Sequence, residues 1–242
     1  MEAKGRIDGR AAGELRPVSF QRRFTEQAPG AVLASFGRTR VLCTAMVTDG
    51  VPPFLQGRGQ GWLTAEYSML PSATEGRKVR DRNNKVDGRS VEIQRLIGRA
   101  LRAVVDLGRM TERTVWVDCD VLQADGGTRT AAISGAWVAL HDLFKHLETR
   151  RLLRGWPLTS QVAGVSVGIV GGAPLCDLSY AEDSQADTDM NLVMTGEGRF
   201  VEVQGSAEGA AFQREELDGM LELGSAAIRQ VFAAQRAALG LA

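Results

Sequence analysis

Three groups of residues have types and spacings that could do chemistry. The first is Gln123-Ala124-Asp125-Gly126-Gly127-Thr128-Arg129-Thr130, placed between a predicted strand and a predicted helix. Glycines let a backbone approach a ligand closely, and the free N–H groups of a helix start attract anions. Thr128 adds a hydroxyl and Arg129 a planar guanidinium fork suited to phosphate. The spacing is not the nucleotide P-loop, which needs Gly-Lys-Ser/Thr, nor the dinucleotide Gly-x-Gly-x-x-Gly. A plainer reading is a glycine turn with Thr128 as the helix cap and Arg129 in solvent. The second candidate is Arg89, which follows Gly88 at the start of another predicted helix and could face an anion there; a solvated arginine is the alternative. The third is acidic: Asp177, Glu182, Asp183, Asp187 and Asp189. Asp183 and Asp189 stand at the two ends of a short loop. Closing that loop would place both carboxylates on one Mg²⁺, a cation that prefers oxygen ligands and keeps several waters. A solvated acidic loop is the alternative.

What is missing narrows the chemistry. The only histidines, His141 and His146, fall on one predicted helix and read as surface or helix-end residues. There is no Gly-x-Ser-x-Gly and no His-Glu-x-x-His. Cys43, Cys119 and Cys176 form no Cys-x-x-Cys pair and read as small buried hydrophobes, not as a zinc site or disulfide frame. With no convincing protein nucleophile, anion-gripping arginines and a metal-ready carboxylate pair suit phosphoryl transfer to an external nucleophile.

The elements that must position these groups alternate strand and helix. Strands are predicted over 31–36 and 39–47, joined at Gly37-Arg38, and over 62–69. Residues 72–88 lack apolar periodicity and carry Arg77, Lys78, Arg80, Arg82 and Lys85, which predicts a basic surface loop. Ile93, Leu96, Ile97, Ala100, Leu101 and Val104 give helical spacing from about Ser90 to Gly108, with Arg95, Arg99 and Arg102 as a separate basic stripe. A strand over 114–122 leads through the glycine turn into a helix reaching about Leu147, with Ile133, Ala136, Leu140, Phe144 and Leu147 as its buried stripe. Residues 150–157 read as a connector. Beyond them come strands over 162–170, 174–180, 190–195 and 199–204, then a helix from about Glu215. Strands followed by helices, twice over, predict an α+β fold built on a duplicated unit. The expected division is 1–150 and 151–242, packed as one compact unit.

The chain has 242 residues, 44% hydrophobic, enough for a substantial core. It has no apolar run of membrane-spanning length and no apolar leader-like stretch in residues 1–17, so a soluble cytoplasmic protein with no membrane partner is expected. Net charge is zero but unevenly spread. Residues 1–113 carry 20 Lys+Arg against 12 Asp+Glu, a net of +8, and residues 114–242 carry 9 against 17, a net of −8. Such asymmetry fits one half gripping an anion and the other holding a cation, although solvated faces would produce it too.

Several long segments resemble one family. They are Gln60-Gly61-Trp62-Leu63-Thr64-Ala65-Glu66-Tyr67, the run from Glu92 to Arg102, that from Cys119 to Ala131, that from Asp177 to Asn191, and that from Val201 to Glu208. In order and content they are similar to the ribonuclease PH family of phosphorolytic 3′-exoribonucleases. The resemblance implies a duplicated βαβα unit of the ribosomal-protein-S5 domain-2 type. It implies trimming of precursor tRNA beyond the CCA end, and of rRNA, with inorganic phosphate as co-substrate and nucleoside diphosphates released reversibly. It implies phosphate binding at Arg89, Gly127, Thr128 and Arg129, an essential acidic pair at Asp183 and Asp189 for Mg²⁺ or catalysis, and RNA binding by Arg77, Lys78, Arg80 and Arg82. It also implies a hexameric ring, a trimer of dimers. A non-catalytic RNA-binding subunit of an exosome-like ring is the alternative; such a chain should lack the phosphate arginines or the acidic pair. A phosphorolytic enzyme acting on free nucleosides is a second, which the basic loop disfavours. Gln213, where the family often has Ser or Thr, predicts a weakly capped last helix, and residues 1–8 are expected to be unstructured.

Overall fold

A computed structural model describes residues 6–80, 87–208 and 211–241. Strand β1 (Val18–Arg22) leads to β2 (Gly30–Phe36) and β3 (Thr39–Asp49). The β2–β3 hairpin turns at Gly37, whose φ of 56° suits glycine, and registers Phe36 against Thr39. Strand β4 (Trp62–Met69), helix α1 (Gly88–Arg102) and strand β5 (Arg113–Gln123) follow. Strands β4 and β5 are parallel, so α1 is the crossover between them. The first sheet has the order β1-β2-β3-β5-β4.

Helix α2 (Thr128–Thr149) leaves the end of β5. Strands β6 (Val162–Val170) and β7 (Ala173–Cys176), the single turn α3 (Tyr180–Asp183), strands β8 (Thr188–Thr195) and β9 (Phe200–Ala207) and helix α4 (Arg214–Leu239) complete the chain. The second sheet, β7-β6-β8-β9, is wholly antiparallel. This is the expected α+β fold of two strand-then-helix units. Where the first unit has α1, the second has only the four residues of α3.

Period-2 alternation explains the first sheet. Val115, Val117, Cys119 and Val121 of β5 are buried, while Trp116, Asp118 and Asp120 point to the other face. Helix α2 breaks the simple amphipathic expectation. Nearly every residue from Thr128 to Phe144 is buried, because the helix packs against β2 and β3 on one side and β6 on another. Its small residues permit that fit. A Cβ on Gly135 would lie 2.7 Å from the Ala34 Cβ and 2.8 Å from the Cys43 sulfur. Its large residues supply the energy, roughly 1.5–3 kcal/mol for each side chain such as Leu140 or Phe144 taken fully out of water.

Several expectations change. Strand β1 has no sequence signature strong enough to predict. Helix α1 ends at Arg102, not near Gly108, and a 3-10 turn (Leu107–Arg109) follows. The return strand stops at Cys176, because Asp177 turns the chain with a φ of 51°. His141 is buried between Trp137 and Trp156, with ring centroids at 6.1 and 5.0 Å. The start of α4 is tied, since the Gln213 N–H donates to the Glu216 carboxylate at 2.7 Å. Residues 6–8, expected to be unstructured, lead with a buried arginine. All three cysteines are buried and free, as expected. No helix among the described residues is long and apolar enough to cross a membrane.

Candidate active site

The end of β5 delivers the chain into a turn held on several sides. The Ala124 N–H donates to the Ala73 carbonyl, and the Asp125 N–H to the Thr39 hydroxyl at 2.9 Å. Gly126 and Gly127 follow with φ of 77° and 64°. A Cβ on Gly126 would lie 2.3 Å from the Leu178 carbonyl oxygen, so glycine alone allows this turn to press against the segment after β7. The cap of α2 is Gly127, not Thr128, and it offers no side chain to the first-turn N–H groups. Those donors remain available to an anion.

Thr128 is instead the first helical residue, and its hydroxyl lies 2.7 Å from the Tyr67 hydroxyl, both buried. Burial raises the Tyr67 phenol above its ordinary range, so it is a neutral hydrogen-bonding group here. Arg129 is fixed by two acceptors: its guanidinium donates to Glu92 at 3.0 Å and to the Gln204 side-chain oxygen at 3.1 Å. Gln204 in turn donates to the same Glu92 oxygen at 3.2 Å. Arg89, at the start of α1, is exposed and has no carboxylate partner among the described residues.

These groups form one wall of a cleft of about 260 Å³. Arg89, Gly127, Thr128 and Arg129, from the first half of the chain, line it together with Asp183, at the end of α3, and Asp189, on β8. The four phosphate candidates and the Asp183–Asp189 pair therefore meet, although they come from opposite halves of the chain. Ser166, Asn191 and Glu208 join them. Although Asp183 is exposed as a residue, protein crowds its carboxylate; burial and then the Asp189 charge push its pKa up, against the pull of Arg89 and Arg129. The Ser206 hydroxyl approaches Asp189 at 3.5 Å.

The other acidic candidates are employed differently. Glu182 is buried and bound by Arg6, and Asp177 is buried and bound by Arg16. Neither lines the cleft, and nor does Asp187, which is exposed. In the basic loop, Arg77 and Arg80 are exposed, whereas Lys78 pairs with Asp87 at 2.7 Å. That same carboxylate caps α1 by accepting the Arg89 N–H, so Lys78 also steadies the helix start that carries Arg89. Arg82 and Lys85 lie outside the described residues. In the arginine stripe of α1, Arg99 pairs with Glu202, and Arg102 stacks over the Trp62 ring at 4.9 Å.

Sequence reasoning missed Tyr67, Glu92, Gln204, Ser166, Asn191 and Glu208. Tyr67 and Glu92 lie inside family-like segments, but nothing local says that they meet Thr128 and Arg129. An oxygen-rich wall of Asp183, Asp189, Glu208 and Asn191 fits a hard cation such as Mg²⁺ in donor type. Among the described residues, however, no group of three His, Cys, Asp or Glu side chains is close enough to cage a metal.

The cleft thus gathers two arginines and a helix start with a carboxylate pair, and no histidine or cysteine is among its lining residues. Comparison with known proteins gives the family. The sequence profile of the 3′ exoribonuclease family, domain 1, matches residues 14–145, and that of domain 2 matches residues 160–227. The chain belongs to this 3′ exoribonuclease family, on its ribonuclease PH branch. It is 58% identical over 239 residues to "Ribonuclease PH" of Synechococcus sp. strain JA-2-3B'a(2-13), covering 98% of each chain. It is 57% identical, with the same coverage, to that of Synechococcus sp. strain JA-3-3Ab. Such relatedness along the whole chain brings phosphorolytic 3′-exoribonuclease activity, with phosphate as substrate, and the class of tRNA nucleotidyltransferases.

Solved structures agree in fold. Rice (Oryza sativa) Rrp46 matches with a TM-score of 0.77 at 20% identity, covering 97% of this chain and all of that one. An Archaeoglobus fulgidus exosome with RNA bound to the active site matches with a TM-score of 0.75 at 24% identity, covering 95% of this chain and 92% of that one. The far higher identity to ribonuclease PH gives the exosome-subunit alternative no advantage.

Proposed function

We propose that this cleft performs the phosphorolysis, with Arg89, the Gly127 and Thr128 backbone, the Thr128 hydroxyl and Arg129 holding inorganic phosphate. The observation that carries the reading is the meeting of this anion-gripping wall with Asp183 and Asp189 in one cleft without a protein nucleophile. Its lining has no histidine or cysteine. Of its hydroxyls, Thr128 is engaged by Tyr67, Ser166 by the Leu178 N–H, and Ser184 donates to the Ala181 carbonyl at 3.4 Å. In this reading the attacking group comes from the ligand.

A phosphate oxygen attacks the last phosphodiester phosphorus. The bond to the 3′-oxygen of the penultimate nucleotide breaks, that oxygen takes a proton, and the terminal nucleotide leaves as a nucleoside diphosphate. Two anions must approach one another, so the arginines and helix-start N–H groups offset their repulsion. Asp183 and Asp189 form the catalytic wall, where a carboxyl group can hand a proton to the leaving oxygen. In their ionised form Asp183 and Asp189 would instead hold Mg²⁺, which would supply additional positive charge at the reacting phosphates.

RNA approaches along the segment bearing Arg77, Lys78, Arg80 and Arg82, which grips phosphates rather than bases because it carries no aromatic residue. The substrate is the 3′ end of precursor tRNA beyond CCA, with rRNA as a second target. The working assembly is a homohexameric ring in the cytoplasm, a trimer of dimers. The first unit, 1–150, grips phosphate and RNA, and the second, 151–242, supplies the acids. The test is a tRNA with a 3′ extension incubated with and without phosphate. Nucleoside diphosphates should appear only with phosphate; nucleoside monophosphates formed without it would contradict the reading.

A further inference from the structure

Three arginines of the N-terminal segment, Arg6, Arg10 and Arg16, run behind the cleft and are absent from its lining. Arg6 and Arg16 are 9% and 5% exposed, which is costly for guanidinium groups unless they are fully paired. They are. Arg16 meets Asp177 three times: through its backbone N–H at 2.7 Å, Nε at 3.0 Å and a terminal nitrogen at 2.7 Å. Its remaining donors reach the carbonyl oxygens of Asp125 and, at 3.4 Å, Gly126. Arg6 grips both oxygens of Glu182, at 2.7 and 2.8 Å, and the Asp177 carbonyl at 3.1 Å. Arg10 reaches the Asp177 carbonyl at 3.1 Å and Glu182 at 3.3 Å. Burial alone would raise the Glu182 carboxyl, but Arg6 holds it below its usual range, so the pair is ionised.

These contacts sit one step behind each wall of the cleft. Glu182 precedes Asp183, and Asp125-Gly126 precede Gly127. In a trans peptide, C=O and N–H point in opposite directions. With the Gly126 carbonyl drawn back toward Arg16 and the Thr39 hydroxyl, at 2.7 Å from the latter, the Gly127 N–H is turned the other way. Asp177, held in its left-handed conformation, gives Arg16 a fixed anchor in the second half of the chain.

The geometry points to Arg16 as a positioning residue for phosphate: anchored on Asp177, it pins the carbonyls behind the glycine turn so that the turn's N–H groups face the cleft. Arg6 and Arg10 hold the neighbouring acidic segment to the same anchor. This assignment rests on the proposed phosphate site at Gly127, Thr128 and Arg129.

The test is steady-state phosphorolysis of an extended tRNA at varied phosphate, comparing wild type with Arg16→Lys and Arg16→Gln. Lysine keeps the charge toward Asp177 but, lacking the planar fork, cannot also hold two carbonyls. Arg16→Lys should raise the KM for phosphate about tenfold, with kcat at saturating phosphate and KM for RNA within about threefold of wild type. Arg16→Gln should raise the phosphate KM further. An unchanged phosphate KM in a folded variant would overturn the assignment. So would a fall in kcat with the phosphate KM unchanged, or unfolding of both variants at the assay temperature, since Arg16 would then be structural only. If wild type itself releases nucleotides without phosphate, the site reading fails instead, and the two failures remain distinct.

Discussion

The two sides of the cleft differ in how directly their functional side chains are held. On the anion side, Thr128 is buried and joined to Tyr67, Arg129 is held by Glu92 and Gln204, and the glycine turn is backed by Thr39 and Arg16. On the acidic side, Asp183 is exposed at the end of a single helical turn, and the Ser206 hydroxyl reaches Asp189 only at 3.5 Å. The anion wall is largely preorganised; on the acidic wall, burial first and then the Asp189 charge raise the Asp183 pKa. A fixed array of donors stabilises developing negative charge without reorganising during reaction. Two neighbouring carboxylates with few direct partners suit a wall completed by substrate, protons and cation.

This contrast can be broken experimentally, first where the effect is largest. Removing Arg129 takes away a fixed donor, so Arg129→Ala should lower kcat/KM for phosphorolysis by about 10²-fold or more while leaving the fold intact, as judged by circular dichroism and melting. Asp189→Asn should reduce turnover by a similar order, about 10²-fold, yet leave phosphate binding by calorimetry near wild type. Equal loss of phosphate affinity in both variants would erase the distinction between the walls.

A smaller effect belongs to the outer grip. Arg77→Ala and Arg80→Ala should each weaken tRNA binding by several-fold and reduce its salt dependence by about one unit of slope, without slowing cleavage of short oligonucleotides. Equal losses on long and short substrates would remove the loop from RNA binding.

The smallest effect tests the strain on the acidic side. Because the Asp183 pKa is raised on folding, its contribution to stability is present below the ordinary Asp range and lost as pH rises through the folded value. Asp183→Asn should therefore melt slightly higher than wild type at pH 7, by less than about 1 kcal/mol since solvent screens an exposed site. That advantage should shrink as pH falls toward 4.

The same contrast explains what could be read from the sequence. The glycine turn and acidic loop were legible because their residue types and short spacings are local. So were the hairpin at Gly37 and the alternation of β5. The burial of α2 on nearly every side was less so: Ala131, Ala132, Gly135 and Ala139 add no strong apolar signal but let two sheets close on one helix. The supports behind the cleft were hidden altogether. Arg16 and Asp177 are 161 positions apart, Arg6 and Glu182 are 176 apart, and Tyr67 and Thr128 are 61 apart. Arginines in a polar N-terminal stretch read as solvated until the second half of the chain folds against them.

The most direct measurement follows the phosphorus. RNA should be digested in isotopically labelled inorganic phosphate and the released nucleotides resolved. The account predicts nucleoside diphosphates labelled at the β-phosphate, one label for each nucleotide removed. Unlabelled nucleoside monophosphates carrying a solvent oxygen would show that water is the nucleophile and would contradict a phosphate held on Gly127, Thr128 and Arg129.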